Sequence, residues 1–244
     1  MRRLYVEHPL SPAQRVPLSR DQAHYLFNVM RMAVGDTVIL FNGADGEWQA
    51  SITETGKKGG VLVCDTQTRP QTSPPDLWLL CAPIRKERMT FAVEKAVELG
   101  VSKIIPVQTD FTQGANRVRQ DKLQATAIEA AEQCERLSIP KVTDVQKLNT
   151  LLSHWDAPRK ILHCDEGMAD VTNQTGLSQF SRPAGPWAVL IGPEGGFSPA
   201  EKEYFGTVSK DTIVPIGLGP RISRAETAAV AALTLWQSTL GDWA

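Results

Sequence analysis

Past residue 76 the chain alternates short apolar runs with stretches of three-and-four periodicity. Leu77 to Ala82, Lys103 to Val107, Ile161 to Cys164, Trp187 to Ile191 and Ile213 to Ile216 are the apolar runs. Between Glu87 and Leu99, Met89, Ala92, Val93, Ala96 and Val97 recur at i, i+3, i+4, i+7 and i+8, with Gly100 at the stop. Leu123, Ala127, Ala130, Ala131 and Cys134 do the same between Asp121 and Leu137. The first pattern predicts buried strands and the second predicts helices with one inward face. Strand and helix in alternation predict a mainly parallel sheet covered on both faces.

The chain before residue 68 has another rhythm. Segments starting at Asp36, Gly46 and Gly59 read as strands, separated by turn signals at Asn42-Gly43, Asp45-Gly46 and Gly59-Gly60. A helix is expected from about Ser19 to Met32. Together these describe a small β-barrel-like domain. The stretch TRPQTSPPD, residues 68 to 76, holds three prolines and reads as a connection. The expected division is a domain over 1–70, a linker over 71–76 and a second domain over 77–244.

Composition narrows the class. The 244 residues carry a net charge of −1, with 42% hydrophobic and 22% charged positions. No apolar run reaches the roughly 20 residues of a membrane span. The start of the chain has Arg2 and Arg3 but no apolar core of a signal peptide, so a cytoplasmic protein is expected. Cys64, Cys81, Cys134 and Cys164 are scattered without a C-x-x-C pair, which points to free thiols and no metal. Basic residues exceed acidic ones by eight to seven over residues 1 to 75, so a nucleic-acid surface would have to be local.

Two segments carry the chemistry. VLIGPEGGFSPAE, residues 189 to 201, is a strand, a loop rich in glycine, and a helix start with S-x-x-E spacing at Ser198 and Glu201. TIVPIGLGPRISRAETAAVAALTLWQ, from Thr212 to Gln237, repeats the arrangement, with a second S-x-x-E at Ser223 and Glu226. Two glycine loops at strand carboxyl ends suit a ligand pocket in an open α/β sheet. The dinucleotide fingerprint fails at Ile222, and neither a P-loop nor a nucleophile elbow is present. A nucleotide-like ligand without phosphates, such as S-adenosylmethionine (SAM), fits what remains. From Ala225 to Leu235 the last helix is apolar on all sides, which predicts burial against a second copy of the chain.

LIGPEGGFSPAE and LGPRISRAETA closely resemble the carboxyl-terminal signature motifs of the RsmE family, bacterial 16S rRNA uridine-N3 methyltransferases of the SPOUT superfamily. HYLFNVMRMAVGD (24–36), EKAVELGVSKIIPV (94–107) and AIEAAEQCERLSIPKV (127–142) extend the resemblance over nearly the whole chain. The chain departs at Glu135, where the family motif has glycine, and at Ser223 and Ala225, where Leu and Thr are usual. The resemblance implies an α/β protein: an amino-terminal PUA-like RNA-binding β-barrel, then a mainly parallel SPOUT domain with a deep trefoil knot. It implies methyl transfer from SAM to N3 of a uridine in the small-subunit rRNA, by a homodimer joined through the last helix. A SPOUT enzyme acting on tRNA and a non-catalytic RNA-binding assembly factor are the alternatives.

On that resemblance Gly192, Gly195, Gly196, Leu218, Gly219, Ile222 and Thr227 would hold the cofactor, with Leu162, His163 and Ile216 lining the pocket. Arg221 and Arg224 are the candidates to stabilise a uracil anion, and Glu194 to orient an arginine or act as base. Arg2, Arg3, Arg15, Arg20 and Arg31, together with Arg85, Lys86 and Arg88, are the candidate RNA contacts, with Arg117 and Arg119 further along.

Overall fold

The computed structural model describes residues 2–56, 59–155, 158–165, 167, 185–207 and 212–243. The chain separates into two compact units. One comprises residues 1–73 with 131–139, and the other residues 74–130 with 140–244.

In the first unit, strands β1 (Arg3–Tyr5), β2 (Arg15–Pro17), β3 (Thr37–Phe41), β4 (Glu47–Gly56) and β5 (Gly59–Arg69) form a sheet in the order β1-β3-β4-β5-β2. β1 and β3 run parallel and the other neighbours antiparallel. Three register shifts along the β4–β5 ribbon bend and twist it. Val16, Leu26, Leu40, Trp48, Ile52 and Leu62 form the core it encloses. The expected helix from Ser19 to Met32 is shorter. It consists of α1 (Arg20–Ala23) and a π-helix, His24–Val29. Ser19 and Gln22 close a capping box at its start, and Arg31 stops it by turning left-handed at φ +58°.

The segment 131–139 belongs to the same unit. Arg3 reaches it, donating to the carbonyls of Ala131 and Arg136 at 3.0 and 3.2 Å. The same guanidinium pairs with Glu47 at 2.9 Å and lies over the Phe41 ring at 4.4 Å. The helix α3 (Gln120–Gln133) stops four residues short of the expected Leu137, and Glu135 has φ +60°. Cys134, expected inward, is exposed because the helix has already ended.

The second unit is built on a parallel sheet. Its elements are β6 (Leu77–Cys81), α2 (Lys86–Glu98), β7 (Lys103–Gln108), β8 (Lys141–Val142), β9 (Gln146–Lys147), α4 (Leu148–Ser153), β10 (Lys160–Cys164), β11 (Trp187–Ile191), α5 (Pro199–Thr207), β12 (Ile213–Ile216) and α6 (Ala225–Thr239). The strand order is β12-β10-β11-β6-β7-β8, with β9 beside β7. All its pairings are parallel. On one face Ile105, Ile161, Ala188 and Leu190 pack with Phe197, Phe205 and Leu148. The alternate side chains Leu79, Leu162 and Val189 are also fully buried. Both faces are therefore covered, as the unbroken apolar runs require.

The last helix is covered on one side by its own chain. Ala229, Ala232, Leu233 and Trp236 are buried against the unit. Thr227, Val230, Ala231, Thr234 and Leu235 form a second stripe that the chain leaves wholly or partly uncovered. Gln237, fully buried, donates to the Leu99 carbonyl at 2.6 Å.

Candidate functional site

A cavity of about 420 Å³ opens at the carboxyl ends of β10, β11 and β12. Ile191, Gly192, Pro193, Glu194, Gly196 and Phe197 form one wall, and Leu218, Gly219, Arg221, Ile222, Ser223 and Arg224 another. Cys164 and Asp165 close it below, and Arg85 and Arg88 enter from the start of α2. The size lies within the roughly 300–1,000 Å³ usual for small-molecule sites. A carboxyl-end crevice is where open α/β sheets place ligands.

The sequence builds each wall locally. Gly192 is required because a β-carbon there would lie 2.8 Å from the Phe197 ring. Gly219 has φ +97°, a left-handed turn that favours glycine. The expected capping box is formed at α5. Ser198 N–H donates to Glu201 Oε2 at 2.9 Å, and Glu201 N–H donates to Ser198 Oγ at 3.2 Å. Glu201 also accepts from Asp110 N–H at 3.0 Å, so the same buried carboxylate fastens the loop after β7. The second S-x-x-E forms no such box. Arg224, not Ser223, is the N-cap of α6, and no side chain caps it. The helix begins one residue later than the spacing implies, which frees Glu226 for another partner.

That partner is Arg88. Its Nη1 pairs with Glu194 of the first loop, and its Nε lies 3.5 Å from Glu226 of α6. One guanidinium thus joins both loop regions, and Glu226 Oε2 has no hydrogen-bond partner among the described residues. Arg221 and Arg224 are exposed, and neither forms an ion pair among the described residues. With Arg85, Arg88 and Lys202 they set five cations against Asp165 and Glu194 on the lining. The Cys164 thiol also lines the cavity, but burial pushes it up to about 12, so it stays protonated at neutral pH. Among the described residues no cluster of His, Cys, Asp and Glu could hold a metal.

Residues 71–237 match the RNA methyltransferase domain model, and residues 18–63 match the RNA methyltransferase PUA domain. The Ribosomal RNA small subunit methyltransferase E of Rickettsia conorii is 31% identical over 95% of this chain and 93% of its own. The chain belongs to the ribosomal RNA small subunit methyltransferase E family. The Buchnera aphidicola (Acyrthosiphon pisum) member is 30% identical, covering 99% of this chain and 94% of its own. The solved family member from Neisseria gonorrhoeae, bound to S-adenosyl methionine, superposes with a TM-score of 0.88 at 27% identity, with both chains fully covered. A Legionella pneumophila putative methyltransferase in complex with SAM gives 0.84 at 30% identity, with 98% of each chain covered.

The expected site residues of this family member divide by strand and helix geometry. Gly192, Gly196, Leu218, Gly219, Ile222, Glu194, Arg221 and Arg224 line the cavity together. Gly195, Leu162, His163, Ile216 and Thr227 are not on its lining. The Cβ direction of Gly195 points to Phe111, at 3.6 Å. Leu162 and Ile216 are fully buried in the sheet core. Thr227 is exposed, while Ala225 and Ala228 of the same helix line the cavity. His163 packs edge-on against both Phe197 and Phe205, at 5.1 and 4.9 Å between ring centroids, and the two phenylalanines lie 5.1 Å from each other. Burial lowers its pKa to about 4, with a weaker opposing contribution from Asp165 and a reinforcing one from Lys202. It is therefore a neutral aromatic prop for Phe197.

The candidate RNA contacts also divide. Arg3 is a buried structural strut, with its side chain only 7% exposed, and Arg15 is paired with Glu54. Arg88 is bound inside the cavity, and Arg85 lines it. Arg119 is paired with Asp121. Arg2, Arg20, Arg31, Lys86 and Arg117 are exposed. Sequence reasoning missed Phe197, Lys202, Cys164, Asp165 and Ser223 on the lining and the link from Arg88 to Glu226. Phe197 stands next to the GPEGG motif and could have been found. The link could not, because 138 residues separate its two ends.

Proposed function

We propose that this protein transfers a methyl group from SAM to N3 of a uridine in the 16S rRNA of the small ribosomal subunit. The observation that supports the reading most is the cavity itself. Two glycine loops at strand carboxyl ends, one shaped around Phe197, converge on it in a chain of this family. Its backbone N–H and C=O groups suit adenine and ribose at close range. When bound, SAM supplies an electrophilic methyl on a sulfonium.

The chain's own residues would hold the acceptor and its charge. Uracil N3 becomes anionic as its proton leaves, and fixed guanidinium groups stabilise such charge. Arg221 and Arg224 fit that task, because both stand at the cavity unpaired among the described residues. Glu194 suits the orienting role, since its carboxylate is held by Arg88. Much of the acceleration would come from alignment of methyl and N3.

The active form in this proposal is a cytoplasmic homodimer whose seam is the second stripe of α6. Thr227, Val230, Ala231, Thr234 and Leu235 follow helical spacing and leave apolar surface uncovered, which supports a second copy there. The carboxyl-terminal segment would be threaded as a trefoil knot. The sheet order, with β11 between β6 and β10 and β12 outside β10, suits such threading.

Calorimetry with SAM, chain mass in the same buffer, and mapping of methyl groups on small subunits test the proposal. One SAM per chain, a dimer and N3-methyluridine in 16S rRNA are expected. A folded chain that binds no SAM, or that methylates tRNA alone, overturns it.

A further inference from the structure

The charges on the cavity lining do not cancel. Glu194 is taken up by Arg88, which Glu226 also faces at 3.5 Å. Asp165 Oδ1 accepts from the Gly167 N–H at 2.9 Å. Both lining carboxylates therefore have partners within the protein. Arg85, Arg221 and Arg224 are exposed on the same lining, and none of them forms an ion pair among the described residues. Lys202 adds a further cation to the wall.

Two helices deepen the imbalance. α2, of 13 residues, and α6, of 15, both start at the cavity, where their N-caps Arg85 and Arg224 stand. Neither start is capped by a side chain. The open N–H groups of a first turn carry partial positive charge, roughly half a unit for a long helix. Side chains and backbone thus give the lining the same sign.

The cofactor changes charge during the proposed reaction. The uracil N3 proton passes to water, and the N3 electron pair forms the bond to the methyl carbon. The electrons of the broken S–C bond stay on sulfur. A sulfonium cation becomes a neutral thioether, S-adenosylhomocysteine, while the ammonium and carboxylate of the amino-acid end are unaltered and offset each other. SAM therefore enters a cationic cavity with one positive charge in excess, and the product has none.

We propose that this cavity separates the two forms of the cofactor by charge and holds the thioether product more tightly than SAM. The proposal rests on the reading of the chain as a SAM-dependent methyltransferase. Spent cofactor is then a competitive inhibitor that outbinds the methyl donor. Methyl transfer relieves the repulsion that SAM meets on entry.

Calorimetry on the full-length protein compares SAM, S-adenosylhomocysteine and sinefungin, in which an ammonium-bearing carbon replaces the sulfonium. At about 0.1 M salt the thioether should bind about fivefold more tightly than SAM, the effect of one screened repulsion between unit charges. Sinefungin should follow SAM, because it keeps the cation. At about 1 M salt, where the screening length falls from about 10 Å to about 3 Å, the gap should close to within about twofold. Arg221→Gln and Arg224→Gln, both at exposed positions, should each narrow the gap at the lower salt by tightening SAM more than the thioether.

SAM that binds as tightly as the thioether overturns the proposal. A thioether preference that salt and both arginine variants leave unchanged also overturns it, because shape then sets the affinity. Sinefungin that matches the thioether does the same. A folded protein that binds none of the three overturns the methyltransferase reading as well. One that binds SAM but methylates no RNA sinks that reading alone, since the three dissociation constants still decide how the cavity responds to charge.

Discussion

Phe197 lies against Gly192 so closely that a β-carbon at Gly192 would stand 2.8 Å from its ring. The first residue after β11 and an aromatic wall of the cavity are thus fitted to each other, five residues apart. Gly192→Ala must push the ring, and SAM affinity should fall at least tenfold by calorimetry. Gly195→Ala, where the added carbon meets Phe111 at an ordinary 3.6 Å, should change it less than threefold. Equal effects would refute the fit.

Glu201 accepts from the N–H groups of both Ser198 and Asp110 while only 2% exposed. Glu201→Ala leaves two donors without their acceptor and should cost about 3 kcal/mol of stability, from roughly 1–3 kcal/mol for each group. Denaturant midpoints at constant slope measure it.

Arg88 and Glu226 form a partly buried pair, with side chains 25% and 14% exposed. Arg88→Ala should destabilise the fold by about 2 kcal/mol, because Glu226 then keeps an uncompensated charge. Adding Glu226→Gln should restore part of the loss, so a double-mutant cycle will show coupling. Strict additivity would mean that the pair does not interact.

His163 titrates near 4 in the folded chain because burial disfavours its charged form, against about 6.5 when unfolded. The unfolded state then binds the extra proton first. Stability is fully present above about pH 6.5 and falls as the pH drops from 6.5 towards 4. The loss amounts to about 3 kcal/mol at 1.36 kcal/mol per pKa unit. His163→Phe should flatten this part of the pH–stability curve, which thermal melts between pH 4 and 8 would reveal. An unaltered curve would assign the loss to other groups.

Glu135 occupies φ +60°, a left-handed backbone that glycine adopts freely. Glu135→Gly should relieve the backbone and raise stability by about 1 kcal/mol, without loss of the bond from Arg69 to the residue-135 carbonyl at 3.1 Å. A lower melting temperature would show that the Glu135 side chain earns its place.

Local patterns carried most of the fold. The five apolar runs became β6, β7, β10, β11 and β12, and the inward face of α2 comprises the five residues its spacing predicts. Period and turn chemistry act over a few residues, so the chain displays them directly. The glycine loops belong to the same class, since a tight turn at a strand end is a local demand. What the spacing could not show was decided by packing between distant segments. Glu201 caps its own helix as expected but also ties down Asp110, 91 positions away. Glu226, spaced for a cap, turns to Arg88 because α6 starts one residue late. His163 of β10 packs against two phenylalanines, and Arg3 reaches across the first unit to the carbonyls of Ala131 and Arg136. A side chain's environment is the sum of whatever folds against it, and those neighbours arrive from parts of the sequence that no local period connects.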